Sequence, residues 1–389
     1  MREITLRYGC NPHQGSAKAS ASGPDLPLRV LNGEPSYINL LDALTGWQLV
    51  RELRAATGLE AAASYKHVSP AGAAVAGPIS SEFARAQLLD GAPEDAVTRA
   101  YLRARAADRV SSFGDVAAIS DTVTPELAQL LKREVSDCII APGFDPQALD
   151  ILRSKKSGRY VVLEIDAAYE PPLVESREIF GIRLQQERDR SAIVPELFQN
   201  ALSGPLLQPS VVQALTVATI SLKFTQSNSV GIAWNGQIIG MAGGQQSRIH
   251  CTRLACAKAE TWMLQTHPKV LQLAFQPGLS RTDRYNAVDQ FIRWDELTAP
   301  ERSALRSQLA EVPEPITPDE RQKWFSTFEG QCMSSDAFIP FRDNIDRAAQ
   351  TGVRYIAHAG GALRDETIRH AAEECGVTLL ETGIRCFLH

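Results

Sequence analysis

The chain has 389 residues, 44% hydrophobic and 22% charged, with 40 basic against 45 acidic side chains and a net charge of −5. That length suffices for two or three domains with a sizeable core. The charge balance leaves no basic block for duplex nucleic acid, and no apolar run approaches the roughly 20 residues that span a bilayer.

Helix is predicted over residues 41–56, where Leu41, Leu44, Trp47, Leu49, Val50 and Leu53 recur at helical spacing before Gly58. A short strand over 61–65 follows. Lys66 and His67 stand at its mouth, and Pro70 and Gly72 are read as breaking the chain there. Residues 80–107 read as helix with a break near Gly91-Ala92-Pro93. Segments 116–120, 138–141 and 160–165 read as buried strands, with helices over 125–133 and 146–154 between them. The charged stretch 171–190 is expected to be irregular and to separate two lobes, 1–190 and 191–389. Beyond it come a helix over 210–224 and strands 230–234 and 237–240 flanking the turn signal Asn235-Gly236. Residues 284–328, charged and punctuated by prolines, read as a helical insertion. The chain then returns to α/β, with helices over 344–351 and 364–375 and strands over 354–358 and 377–380.

Seven scattered cysteines form no C-x-x-C pair, and Met1–Leu6 lacks the apolar core of a signal peptide. Reduced thiols in a cytoplasm and no structural zinc are the expectation.

The motifs are modest one by one. Lys66-His67 joins a cation to a base that titrates near neutrality, although such a pair in a loop is also ordinary surface. Arg7-Tyr8 suits a phosphate or a surface arm. Ser111-Ser112-Phe113-Gly114-Asp115 and Ser136-Asp137 place carboxylates beside apolar strands, where Asp also caps helices. Thr225-Gln226-Ser227-Asn228-Ser229 offers amides matching a carboxamide, or simply turns. Gly243-Gly244, opening towards a helix from Thr252, can present backbone N–H groups to an anion. Phe338 and Phe341 can stack on a ring or fill a core. Asp343 can bond a heterocycle or cap a helix, and Arg385 lies in what reads otherwise as a frayed tail.

Taken in order, these motifs resemble one family, the AICAR (5-aminoimidazole-4-carboxamide ribonucleotide) transformylase domain of the bifunctional purine-biosynthesis enzyme. The resemblance runs from Leu6-Arg7-Tyr8-Gly9 to Arg385-Cys386-Phe387. It includes Lys66-His67-Val68-Ser69-Pro70-Ala71-Gly72 and Gln245-Gln246-Ser247-Arg248-Ile249-His250. It implies a tandem pair of cytidine-deaminase-like α/β lobes, without the deaminase zinc, and a helical insertion in the second. It implies transfer of a formyl group from 10-formyltetrahydrofolate to the 5-amino group of AICAR. It also implies a homodimer whose sites draw on both subunits.

On the matched motifs, the resemblance makes His67 the catalytic base and Lys66 the charge stabiliser. Arg7, Tyr8 and Arg385 would hold the nucleotide phosphate. Gly114, Asp137, Asn228, Arg248 and Phe338 would surround the ribose and the carboxamide-imidazole. Ile249, Asp343, Gly360, Gly361, Ala362 and Leu363 would meet the folate. Potassium is implied near Thr225, Ser227, Ser229 and Asp336. The family's ring-closing domain has no counterpart in this sequence, so a separate IMP cyclohydrolase is expected. Ala359, Ala362 and Leu388 depart from common family residues. Two other readings stay open: a formyltransferase acting on an AICAR-like nucleotide in a side pathway, and a non-catalytic nucleotide-binding regulator.

Overall fold

A computed structural model describes residues 3–199 and 207–389, apart from residues 22 and 24. Met1 and Arg2 of the N-terminal segment read above lie outside the described residues. The centre of the structure is one sheet of 11 strands. In chain order these are β1 (Leu28–Asn32), β2 (Ala61–Lys66), β3 (Ser69–Val75), β4 (Asp115–Ile119), β5 (Ser136–Ala141) and β6 (Val161–Ile165). The second half supplies β7 (Val230–Trp234), β8 (Gln237–Ala242), β9 (Cys332–Ser335), β10 (Tyr355–His358) and β11 (Thr378–Glu381). The order across the sheet is β11-β10-β9-β7-β8-β3-β2-β4-β5-β6-β1.

Eight helices connect them: α1 (Tyr37–Thr57), α2 (Ala96–Ala106), α3 (Pro125–Arg133), α4 (Pro146–Ser154), α5 (Pro209–Lys223), α6 (Arg248–Leu264), α7 (Asp343–Thr351) and α8 (Asp365–Glu374). The main elements then repeat. The first half runs α1-β2-β3-α2-β4-α3-β5-α4-β6, and the second runs α5-β7-β8-α6-β9-α7-β10-α8-β11. In the first half β2 is antiparallel to β3 and β4, while β4, β5 and β6 are parallel. In the second, β7 is antiparallel to β8 and β9, while β9, β10 and β11 are parallel. The halves are fused edge to edge where Ala74 of β3 faces Gln237 of β8 in antiparallel register.

Helices cover both faces, so the central strands read as unbroken apolar runs. Alternate residues divide between the faces. Ala61, Ala63, Tyr65 and Val75 share a core with Leu49 and Leu53 of α1 and Leu215 of α5. Ala62, Ala74 and Ala117 pack with Tyr101 of α2 and Leu127 of α3. Ile232, Ile239 and Met333 pack with Ala255 of α6 and Ile345 of α7.

Three readings need correction. Pro70 and Gly72 do not break the chain; both lie in β3 at the middle of the sheet. The register of β2 shifts between Ser64 and Tyr65, opposite Pro70, and such a bulge lets a proline sit in a strand. A Cβ at Gly72 would lie 2.2 Å from the Ala104 carbonyl of α2, so glycine here permits a close strand–helix approach. Gly240 occupies the matching place in β8, where a Cβ would lie 2.2 Å from the Ala255 carbonyl of α6. The break expected near Gly91-Ala92-Pro93 is present, between helix Ser81–Ala86 and α2, each started by its own Ser or Asp cap. The stretch 171–190 is not irregular: Val174–Ile179 and Ile182–Glu187 form an exposed hairpin that pairs with no other strand among the described residues. Its tip, Phe180-Gly181, has positive φ at both residues, the geometry of a two-residue hairpin turn. Helix α6 starts at Arg248, one turn before the expected Thr252.

The insertion contains helices Arg281–Ile292, Ala299–Gln308 and Pro318–Phe325. Pro300 and Pro318, which look like punctuation in sequence, sit in first turns behind Thr298 and Thr317. Proline costs no hydrogen bond there.

Candidate active site

The antiparallel junction of β3 and β8 makes the parallel strands of the two halves run in opposite directions. One rim of the sheet therefore gathers the amino ends of β4 and β5 with the carboxyl ends of β8, β9 and β10. The β2–β3 turn, with Lys66 and His67, lies on this rim. So do Gly114, Asp137, Asn228, Gly243, Asp336 and Gly360, and the first residues of α6 and α7.

Lys66 pairs with Ser69 and closes a two-residue turn over His67 and Val68. Both have left-handed backbones, φ 56° and 57°, where hairpins usually carry Asn-Gly. Asp42 of α1 holds the turn: Oδ2 accepts the His67 amide at 3.2 Å and Oδ1 the Val68 amide at 2.6 Å. Burial pushes the Asp42 carboxyl above its usual range, and these amide bonds oppose that shift. Lys66 Nζ donates to the Phe113 carbonyl at 2.6 Å. The next residue, Gly114, has φ 79° and lies against Asp137; a Cβ there would be 3.4 Å from Asp137 Oδ2. Lys156 pairs with Asp137. The cavity in front of Lys66 and His67 has a volume of about 300 Å³. Ser111 lines it from the first half, and Thr225, Gly243 and Lys258 from the second.

Beside it lies a polar knot around Asp336, which is fully buried. Arg248 Nη1 pairs with Asp336, and Nη2 donates to Asn228 Oδ1 at 2.7 Å. The Ser227 hydroxyl donates to Asp336 Oδ2 at 2.7 Å, as does the Ser229 amide at 2.8 Å. The end of the chain is tied to the same knot rather than frayed. Cys386 N–H donates to the Asp336 carbonyl at 2.8 Å, and Ser227 N–H to the Leu388 carbonyl at 3.0 Å. Arg385 is thereby brought to the rim, its guanidinium 4.8 Å from the Phe387 ring. Burial pushes the Cys251 thiol up to about 12, so it stays protonated and unreactive.

Arg7 and Tyr8 are joined, Nη2 to the phenolic oxygen at 2.8 Å. The Tyr8 carbonyl accepts Tyr37 N–H at the start of α1, the helix that also carries Asp42. One chain thus links Arg7-Tyr8 to His67. The other expected residues are more spread. With neighbouring strands about 4.8 Å apart, Asp137 lies two strands and Asn228 three strands from β2, which carries Lys66, roughly 10 and 14 Å sideways. The Gly360–Leu363 loop, five strands away after β10, lies roughly 24 Å off. Gly360 and Gly361 have φ 71° and 85°, and Leu363 is fully exposed. Asp365 Oδ2 accepts the Gly361 and Ala362 amides. Phe338 is half exposed, Ile249 lies in the first turn of α6, and Asp343 opens α7 with Oδ1 accepting from Asn344.

Sequence reasoning missed Asp42, the Phe113 carbonyl and Lys258. A carboxylate inside the apolar stripe of α1 was the one signal available for Asp42; a backbone carbonyl leaves none.

A family model described as the AICARFT/IMPCHase bienzyme matches residues 1–258. The chain is 27% identical to the "Bifunctional purine biosynthesis protein PurH" of Sorangium cellulosum (strain So ce56), over 100% of this chain and 59% of that protein. It is 28% identical to the protein of the same name from Roseobacter denitrificans (strain ATCC 33942 / OCh 114), over 99% of this chain and 60% of the relative. The Myxococcus xanthus (strain DK1622) protein gives the same three figures. The chain spans about three fifths of the length of these curated relatives.

Proposed function

The chain belongs to the AICARFT/IMPCHase bienzyme family, and from that premise we propose that it transfers a formyl group from 10-formyltetrahydrofolate to the 5-amino group of AICAR. The observation that carries this reading is the Lys66-His67 turn, braced by Asp42 and Phe113 and facing a cavity walled by both halves. The AICAR amine is conjugated with its ring and carboxamide, so it is a weak nucleophile. His67 takes its proton as it attacks the formyl carbon. Lys66 stabilises the resulting oxyanion and then protonates N10 of the folate as it leaves. Holding both substrates in one orientation supplies much of the remaining acceleration.

Arg7, Tyr8 and Arg385 take the phosphate in this proposal. Gly114, Asp137, Asn228, Arg248 and Phe338 take the ribose and base. Ile249, Asp343 and Gly360 to Leu363 take the folate. The five strands, roughly 24 Å along the sheet, between that loop and Lys66 favour a homodimer in which a second copy completes the folate side. Tyr37, Leu41 and Leu44, exposed apolar residues on one stripe of α1, give such a copy a surface to cover. We read residues 1–190 and 191–389 as two cytidine-deaminase-like lobes, on the strength of their matching element order.

Potassium fits the donor set near the knot. Ser229 Oγ is buried without a partner among the described residues. The Thr225 and Ser227 hydroxyls donate to the Ser221 carbonyl and to Asp336; Ser227 Oγ also accepts the Leu388 N–H at 3.3 Å, which leaves it one lone pair. These three oxygens would hold the ion, whose chemistry is that of a fixed positive charge bracing the loop 225–229.

The test is a folate absorbance assay with AICAR. Formyl transfer that needs His67 supports the proposal. Nucleotide binding without transfer would instead favour a non-catalytic regulator.

A further inference from the structure

Lys66 is held by a backbone carbonyl, so something else must fix that carbonyl. The loop 112–115 that carries Phe113 is tied down by Asp115, which is fully buried. Asp115 Oδ2 accepts from Ser64 Oγ at 2.7 Å and from the Tyr101 hydroxyl at 2.9 Å. Ser64 is two residues before Lys66 on β2. The Asp115 N–H donates to the Ser112 carbonyl at 3.2 Å, closing the loop over Phe113. Arg105 Nη1 lies 2.8 Å from Asp115 Oδ1, an ion contact whose angle is not that of a hydrogen bond. Burial alone would lower the Arg105 pKa; Asp115, Tyr101 and Glu134 outweigh it and hold the guanidinium charged. Glu134 continues the chain of charges to Arg281 at the start of the insertion, 2.9 Å away.

We propose that Asp115 is the positioning residue for Lys66: it locks the Phe113 carbonyl and strand β2 together, and so fixes where the Lys66 ammonium points. Its side chain is not part of the cavity wall and bonds no residue assigned to a substrate, although Gly114 precedes it in the chain. Its carboxylate bonds the strand of Lys66 and α2, and its backbone N–H closes the loop that receives Nζ; the Ser112 hydroxyl, bonded to Ser64 Oγ at 2.8 Å, reinforces the same junction.

The kinetic arm of the test rests on the formyl-transfer reading; the labelling arm does not. Asp115→Asn keeps shape and removes the charge. A shift of about 1 Å in a reacting group can cost a hundredfold, so kcat is expected to fall about that far, with AICAR affinity within threefold. The double variant Lys66→Ala/Asp115→Asn should be no slower than Lys66→Ala alone, because a residue acting only through Lys66 adds nothing once Lys66 is gone. Additive losses would overturn the proposal, as would unchanged kcat. Independently of activity, acetic anhydride labelling of Lys66, read by peptide mass spectrometry, should speed up at least threefold in Asp115→Asn, since Nζ loses its carbonyl. Unchanged labelling overturns the proposal too. If Asp115→Asn does not fold, Tyr101→Phe, which removes a donor to Asp115 Oδ2 and leaves the Ser64–Ser112 contact in place, carries the same two measurements. A wild type that shows no formyl transfer but faster Lys66 labelling in the variant would sink the reaction and keep the positioning role.

Discussion

The carboxylate of Asp42, buried in α1, accepts the backbone N–H of His67 at 3.2 Å and that of Val68 at 2.6 Å. It clamps a turn in which a β-branched residue, Val68, takes φ 57°. L-residues pay roughly 1–2 kcal/mol for that conformation. Replacing Val68 with Gly is expected to stabilise the fold by about 1 kcal/mol, and Asp42→Ala to destabilise it by about 1–3 kcal/mol through two unpaired amides. In the double variant part of the loss should return. Denaturant unfolding measures all three; equal losses in Asp42→Ala with and without Val68→Gly would show that Asp42 does not act on the turn.

His67→Ala should lower kcat by about 10²–10⁴-fold, the usual worth of a general base. AICAR affinity should stay within about tenfold, because a base acts mainly in the transition state. Lys66→Ala should be similarly slow. Steady-state kinetics with calorimetric binding checks both, and near-normal turnover in either variant removes its assigned role.

The internal repeat makes a paired prediction. Gly72→Ala and Gly240→Ala each drive a Cβ to 2.2 Å from a helix carbonyl, of Ala104 and Ala255 respectively. Each should destabilise by about 3 kcal/mol, the upper part of the overpacking range. Thermal unfolding decides: one tolerated substitution would mean that the two strand–helix contacts are not equivalent.

His358 supplies a pH dependence. It is buried at the end of β10, and its Nδ1 accepts the Gly360 amide at 3.3 Å. Burial lowers its pKa below 6.5, while Glu381 and Asp365 oppose that shift. The folded state thus holds the proton more weakly than the unfolded state. Its contribution is present above pH 6.5 and is lost as pH falls from there through the lower folded value. Unfolding free energies at pH 7 and pH 5 should differ less in His358→Gln than in the wild type. An unchanged difference would show that other groups govern this range.

Much of the α/β order was legible because its signals are local. The Asn235-Gly236 hairpin, strand 138–141 and the helix over 125–133 all follow from periodicity and turn residues. What escaped depends on tertiary partners. Leu41 and Leu44 fit the apolar period of α1, yet they are 38% and 36% exposed, while Leu40 and Ala43 are buried. A helical period names a stripe without saying which side of it meets the sheet. Gly72 reads as a breaker because nothing near it in sequence reveals α2 lying across β3. The candidate site residues Lys66, His67 and Arg248 were picked out by their motifs. The groups that aim them, Asp42 and the Phe113 carbonyl, become visible only once α1 and the 112–115 loop are in place.

The most direct measurement incubates the purified chain with AICAR and 10-formyltetrahydrofolate, following folate absorbance and identifying the nucleotide product by mass spectrometry. AICAR-dependent release of tetrahydrofolate with accumulation of the open formamido nucleotide is the predicted result, and it should disappear with His67→Ala. Absence of any formylated nucleotide, with AICAR shown to be bound, would contradict the transformylase assignment.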